Sequence, residues 1–273
     1  MSTVSTVLAE RSGVTVTRTG DTVTKAHTAR TDVDALRRRI RLAAHPALAG
    51  VLLPPLPPAQ VTTWHDGRPA TRWPYGAPID PLTDTVPWAE AGTLLARLHA
   101  LPLRVFPTHP LPPSGAPARI LATMPGTLRA LPHTPLTAAL ERILATTAPA
   151  LTTRPTSPVA LCHGDFHLGQ LVLFRGAWHL IDVDDLGMGD PSWDLARPAA
   201  WYAAGLLHPD DWARFLHAYR PDWDPWPTLD LPARLMTAHT VARALARAEE
   251  ARRPLTPEQE ALADAVFRIS RLS

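Results

Sequence analysis

Between Leu161 and Leu171 the chain reads LCHGDFHLGQL, which gathers two His, one Asp, two Gly and one Gln in eleven residues. Further acids follow at Asp182, Asp184, Asp185 and Asp190. The segments LVLF and WHLI between the two groups are strand-like, and Arg175-Gly176-Ala177 reads as a three-residue hairpin loop centred on Gly176. Gln170 lies six residues before Gly176 and Asp182 six after it. A symmetric loop makes these two cross-strand neighbours, with Cβ atoms about 5 Å apart. Several carboxylates around one amide oxygen form a hard-oxygen site that suits Mg²⁺ better than a soft metal. Magnesium held by few protein ligands completes its shell with water and substrate phosphates. The chemistry indicated is phosphoryl transfer, where positioning and charge neutralisation dominate.

Such a site also needs a cation on the phosphates. Lys25 is the one lysine in a chain that carries 27 Lys and Arg together. It falls on the third strand candidate, ahead of a helix bearing Asp32 and Asp34, either of which could pair with it. A competing reading takes His163 and His167, spaced i, i+4, as zinc ligands of a hydrolase. They flank a loop, however, and no third His ligand is evident. Cys162 reads as a small buried hydrophobe.

The elements that must position these residues are legible in outline. Residues 4–28 alternate β-branched side chains around a turn at TGD, a hairpin pattern. Residues 31–45 have helical spacing, with Thr31 or Asp32 as N-cap and Pro46 beyond the end. Two more strands flank HDGR. A small sheet with one helix after its third strand is expected over the first hundred residues or so. Helices are expected at 88–101, 136–148, 210–220, 232–251 and 257–271. Residues 102–135, crowded with Pro, read as loops and short helices.

Composition sets the outer limits. The 273 residues are 45% hydrophobic and 19% charged, with a formal charge of +2, which is globular and gives nucleic-acid binding no basic block to rest on. One Cys leaves no internal disulfide and fits a reducing compartment. No transmembrane-length segment or signal peptide is apparent, so a cytoplasmic protein without a membrane partner is expected. Asn is absent, and Pro reaches 31 residues.

The motifs HGDFHLGQ, LIDVDD and GDPSWDLA, in that order, resemble the signature of the aminoglycoside phosphotransferase and choline kinase group of small-molecule kinases. The upstream WAEAGTLLARLHALP is similar to a helix of their C-lobe. The resemblance implies an α+β, bilobal, protein-kinase-like fold. Residues 1–76 would form a small antiparallel-sheet N-lobe, and 77–273 a larger, mainly helical C-lobe. It implies ATP (GTP is possible) and Mg²⁺ as cofactors, a small hydroxylated acceptor, and a monomer or homodimer. Asp165 matches the catalytic Asp. Gln170 and Asp182 match the metal ligands, His163 and Asp194 the supports of the loop, and Lys25 the nucleotide lysine. The adenine hinge would lie near Trp73–Gly76, with Tyr75. Three departures stand out. AERSG (9–13) replaces a glycine-rich loop, Asp32 or Asp34 replaces a Glu partner for Lys25, and Gln170 replaces Asn.

The resemblance leaves the substrate open. An antibiotic is the first expectation; a maltokinase-like metabolite kinase or a catalytically silent nucleotide-binding protein is the alternative. His167, Asp184 and Asp185 are candidates for substrate contact. So are Trp223 and Trp226, in an acidic, aromatic segment (208–230) that could recognise a polycation or a sugar.

Overall fold

The alternating Thr and Val of VTVTRT and TVTKA pair as antiparallel strands in the computed structural model, which describes residues 5–11, 13–80, 85–106, 111–153 and 159–272. Five strands form the first sheet: β1 (Ser5–Arg11), β2 (Val14–Thr19), β3 (Thr22–Ala26), β4 (Thr62–Thr63) and β5 (Pro69–Pro74). Their order is β1-β2-β3-β5-β4, antiparallel throughout. Helix α1 (Val33–Ala43) follows β3, as its spacing predicts. Asp32 is its N-cap, accepting hydrogen bonds from the backbone N–H of Asp34 and Ala35. Leu36, Ile40 and Ala43 form the buried stripe that holds α1 against the rest of the molecule.

Beyond Tyr75 the chain changes sheets. β6 (Ala77–Pro78) pairs with a later hairpin in the order β6-β8-β9. A Cβ on Gly76 would stand 2.5 Å from Val172 Cγ2, so the close passage over β8 requires glycine. Helices α2 (Trp88–His99), α3 (Ala118–Ala130) and α4 (Pro135–Thr153) come next. Strand β7 (Ala160–Cys162), the hairpin β8 (Leu171–Phe174) and β9 (Ala177–Leu180), and β10 (Gly187–Gly189) then carry the acid-rich segments. The chain ends in α5 (Ser192–Ala203), α6 (Pro209–Tyr219), α7 (Trp226–Glu250) and α8 (Pro257–Ile269).

α3 and α7 differ most from the sequence expectation. α3 is a full helix inside the Pro-crowded region, continuing through Pro125 because Ile120, Met124 and Leu128 bury one continuous face. α7 starts several residues before 232, since Pro227 fits the first turn of a helix.

Two apolar clusters fix these parts. One joins Leu36 and Ile40 of α1, Trp73 of β5 and Leu95 of α2 to Leu161, Phe166, Leu171 and Leu180 around the acid-rich loops. The other packs α3, α4, α5, α7 and α8 on one another. Each fully buried Leu or Phe contributes about 1.5–3 kcal/mol, so the loops carrying the acids sit on a rigid base. Among the described residues no helix is long and apolar enough to cross a membrane.

Candidate active site

The β8–β9 hairpin sets the spacing of the site, though not by the expected loop. Arg175 (φ 51°) and Gly176 (φ 78°) make a two-residue turn, and the register pairs Leu171 with Leu180 and Phe174 with Ala177. Gln170 therefore faces Ile181, whose N–H donates to the Gln170 carbonyl at 2.9 Å. Asp182 reaches Gln170 by another route. Its backbone is left-handed (φ 64°), and this bend brings Asp182 Oδ2 to 3.4 Å from Gln170 Nε2.

Lys25 on β3 meets the same carboxylate from the first sheet. Its Nζ lies 2.7 Å from Asp182 Oδ1 and 2.8 Å from Asp184 Oδ2. This corrects the expected pairing with Asp32 or Asp34. Asp32 is occupied as the N-cap of α1, and Asp34 is exposed and paired with Arg37 at 2.9 Å. α1 packs against the Val183–Asp185 turn, which presents Asp184 to Lys25 in their place. Burial works against a charge on Lys25, but Asp184 and Asp182 outweigh it and hold the ammonium above its usual range. Burial likewise opposes the Asp184 carboxylate, and Lys25 and His27 hold it well below the ordinary value. His27 stands two residues beyond Lys25, with Nδ1 3.4 Å from Asp184 and Nε2 hydrogen-bonded to Thr71 at 3.0 Å.

Asp165 lies on the loop after β7, which is tied down from below. The fully buried Asp194 accepts the backbone N–H of His163 at 2.6 Å, that of Gly164 at 2.7 Å, and His99 Nε2–H at 2.9 Å. His163 Nε2–H donates to the Ile181 carbonyl at 2.7 Å, locking the loop to the hairpin end. Gly164 (φ 86°) is required, because a Cβ there would stand 2.3 Å from the Asp185 carbonyl oxygen. With the loop so fixed, Asp165 Oδ1 receives Arg197 at 2.8 Å and Arg119 at 3.3 Å. Arg119 also holds Asp185 at 2.9 Å. Burial raises the Asp165 carboxyl, yet Arg197 and Arg119 prevail and keep it below its ordinary value. For Asp185 burial prevails, and its carboxyl is raised.

His167 lies 3.2 Å from Gln170 Nε2 and is neutral at pH 7, since burial and the Arg197 charge push it down to about 4. With His163 turned to Ile181 and His167 to Gln170, the two rings do not converge as a zinc pair. Asp184 faces Lys25 and Asp185 faces Arg119, so both carboxylates are engaged in ion pairs. Trp73 is a core residue whose indole N–H donates to Thr71, and not an exposed stacking platform. Tyr75 is covered by the Arg18 guanidinium, 3.4 Å from its ring centroid. Trp226 stacks on Tyr202 and Trp212, and Trp223 lies against Tyr219, so both join the aromatic packing around α6. Ser12, within AERSG, lies outside the described residues.

The sequence reading missed His27, His99, Arg119 and Arg197. His27 was within reach of it, because i, i+2 spacing puts it beside Lys25. The two arginines come from helices remote in sequence, and no local signal marks them.

The donor set fits a hard divalent cation. Asp182 Oδ2 and the Gln170 amide are adjacent, and turning that amide over presents a second oxygen in place of N–H. His167, being neutral, can follow by changing tautomer. Asp182 and Gln170 would hold the ion, and it would supply charge neutralisation for phosphates.

The sequence matches the model of the phosphotransferase enzyme family over residues 34–229. The chain belongs to this family. No curated protein matches the sequence of this phosphotransferase. Among solved structures, it is similar to a choline/ethanolamine kinase family protein from Mesorhizobium loti (21% identity, TM-score 0.65, covering 98% of this chain and 87% of that one). It is also similar to a thermostable mutant of aminoglycoside phosphotransferase APH(4)-Ia (14% identity, TM-score 0.70, covering 98% and 94%). A third is the amicoumacin kinase hAmiN, solved with AMP-PNP, Ca²⁺ and Ami (16% identity, TM-score 0.69, covering 98% and 88%). The phosphotransferase thus has an α+β, protein-kinase-like fold, with a small antiparallel sheet ahead of a mainly helical remainder.

Proposed function

We propose that this phosphotransferase moves the γ-phosphate of ATP to a hydroxyl of a small molecule, in an Mg²⁺-dependent reaction. The observation that carries this is the meeting of Lys25 with Asp182, 157 residues apart, at 2.7 Å beside Gln170. Lys25 would hold the nucleotide phosphates, and Asp182 with Gln170 the Mg²⁺ that neutralises them. GTP remains the alternative donor. The amicoumacin kinase complex, with a nucleotide analogue and a divalent ion, supports this assignment.

Asp165 would bind and orient the acceptor hydroxyl. The acceptor oxygen bonds to the γ-phosphorus, the bond from phosphorus to ADP breaks, and the hydroxyl proton passes to an Asp165 oxygen. Two arginines hold Asp165 ionised, which makes it a weak base but a firm hydrogen-bond acceptor. That suits a loose phosphoryl-transfer transition state, where the nucleophile needs aiming more than deprotonation.

A catalytically silent nucleotide-binding protein would not need Asp165 held in this way. The test is ATP consumption with Mg²⁺ over a panel of hydroxylated acceptors. Turnover should fall by about 10²–10⁴-fold in Asp165→Ala. Tight ATP binding with no turnover on any acceptor sinks the proposal.

A further inference from the structure

The acceptor side of Asp165 carries more positive than negative charge. Arg119 from α3 and Arg197 from α5 converge on Asp165, and Arg119 also takes Asp185. Helix α7 packs on both α3 and α5 and adds His239 and, one turn later, Arg243. Arg243 is half-buried, and among the described residues it makes no hydrogen bond or ion pair. It lies within electrostatic reach of Arg247, Arg119, Asp165 and Arg197, and burial and these guanidiniums, Arg247 first, push its pKa down. Among the described residues the buried Nε atoms of Arg119 and Arg197 have no hydrogen-bond partner. His239 does not add charge, because burial and Arg243 push it down to about 4. Arg119, Arg197 and Arg243, with Arg247 one turn beyond, therefore outnumber the carboxylates of Asp165 and Asp185, and the imidazoles beside them are neutral.

An unpaired, half-buried guanidinium among like charges is costly unless an anion completes it. Among the acids of the segment 208–230, three are bonded to groups close to them in sequence. Asp224 accepts the Trp226 N–H at the start of α7, Asp230 pairs with Arg234, and Asp211 pairs with Arg214.

We propose that the acceptor is a hydroxylated small molecule bearing an anionic group, carboxylate or phosphate monoester, which Arg243 binds beside Arg119 and Arg197. Calling the ligand an acceptor rests on the phosphotransfer reading; the anion site itself does not. A polycation would meet repulsion at the same place.

Binding of glucose, glucosamine, gluconate and glucose 6-phosphate to the protein saturated with Mg·ADP, measured by calorimetry, tests this. Gluconate or glucose 6-phosphate should bind at least about tenfold more tightly than glucose, and glucosamine no better than glucose. Which anion prevails distinguishes carboxylate from phosphate ester. Arg243→Gln should remove that preference, a loss of about ten- to a hundredfold, with Mg·ADP affinity unchanged. Equal binding of the four ligands, absence of anion binding, or a preference that survives in both Arg243→Gln and Arg243→Ala overturns the inference. Anion binding through Arg243 without phosphoryl transfer would leave the site standing and remove the kinase reading. Transfer only to neutral or cationic acceptors would do the reverse.

Discussion

The two sides of the Asp165–Asp182 segment have opposite local charge. On the Lys25 side one ammonium is shared between two carboxylates, Asp182 and Asp184, next to a neutral amide and His27. On the Arg197 side two guanidiniums converge on Asp165, with Asp185 beside them and Arg243, which has no ion pair among the described residues, within electrostatic reach. Unit charges 4 Å apart interact by about 4 kcal/mol near a protein surface, so neither imbalance is a neutral feature of a part-buried site. An acid-rich side gains from a metal cation. A base-rich side gains from an anion. Such a loop can hold a metal–nucleotide on one flank and present an ionised Asp to an acceptor on the other, without either ligand repelling the loop.

The largest effect should come from breaking the acid-rich side alone. Asp182→Ala removes one of the two partners of Lys25 and the carboxylate beside Gln170. Turnover should fall by about 10³-fold or more, since charge stabilisation at the phosphates is lost. Chelation of the metal from the wild-type protein should do the same. Stabilisation by Mg·ATP in thermal unfolding should vanish with it. Binding of a ligand to the arginine side should persist. If acceptor-side binding falls equally in Asp182→Ala, the two flanks are not separable as described.

How much of this contrast the sequence disclosed follows from its geometry. Lys25, Asp165, Gln170 and Asp182 were legible because residue type and short spacing carried them. The pairing of Gln170 with Asp182 was expected for the wrong reason: the turn has two residues, and the left-handed backbone of Asp182 supplies what the symmetric loop was to supply. Asp32 and Asp34 were misassigned because proximity in sequence to Lys25 was weighed above the N-cap role already expected of Asp32, and Asp34 turns to Arg37 on its own helix. Asp184 was visible as an acid, but its partner lay 159 residues away across the sheet-to-loop contact. The base-rich side was not legible. Arg119, Arg197 and Arg243 sit on three helices, and with arginine so frequent in this chain none of them stands out by type.

A sharper test of the base-rich side is its control over Asp165. Arg197→Gln removes the nearer guanidinium, leaving Arg119 at 3.3 Å against the burial that raises the carboxyl. The wild-type carboxyl is held below its ordinary value of 3.8, so its ion pairs stabilise the fold above that pH and are lost as pH falls through the lowered value. In the variant the acidic limb of the kcat/KM profile should move to higher pH. At neutral pH the rate should change much less than in Asp182→Ala. An acidic limb that stays in place separates Arg197 from the ionisation of Asp165.

The smallest effect should come from Gln170→Asn, and it bears on the acid-rich side alone. Gln170 faces Ile181 in the hairpin register and must reach one residue further to meet Asp182. Gln170→Asn keeps the amide but withdraws it by one methylene, about 1.5 Å. It also gives up the His167 contact at 3.2 Å that steadies the longer side chain. Mg²⁺ affinity should weaken a few-fold while kcat at saturating Mg²⁺ stays near the wild-type value. Gln170→Ala deletes the oxygen itself and should lose most of the activity, about 10–100-fold. The split between the two variants is what identifies the amide oxygen as a ligand and not a spacer. Near-native rates and unchanged Mg²⁺ dependence in both would leave Asp182 to hold the metal without Gln170.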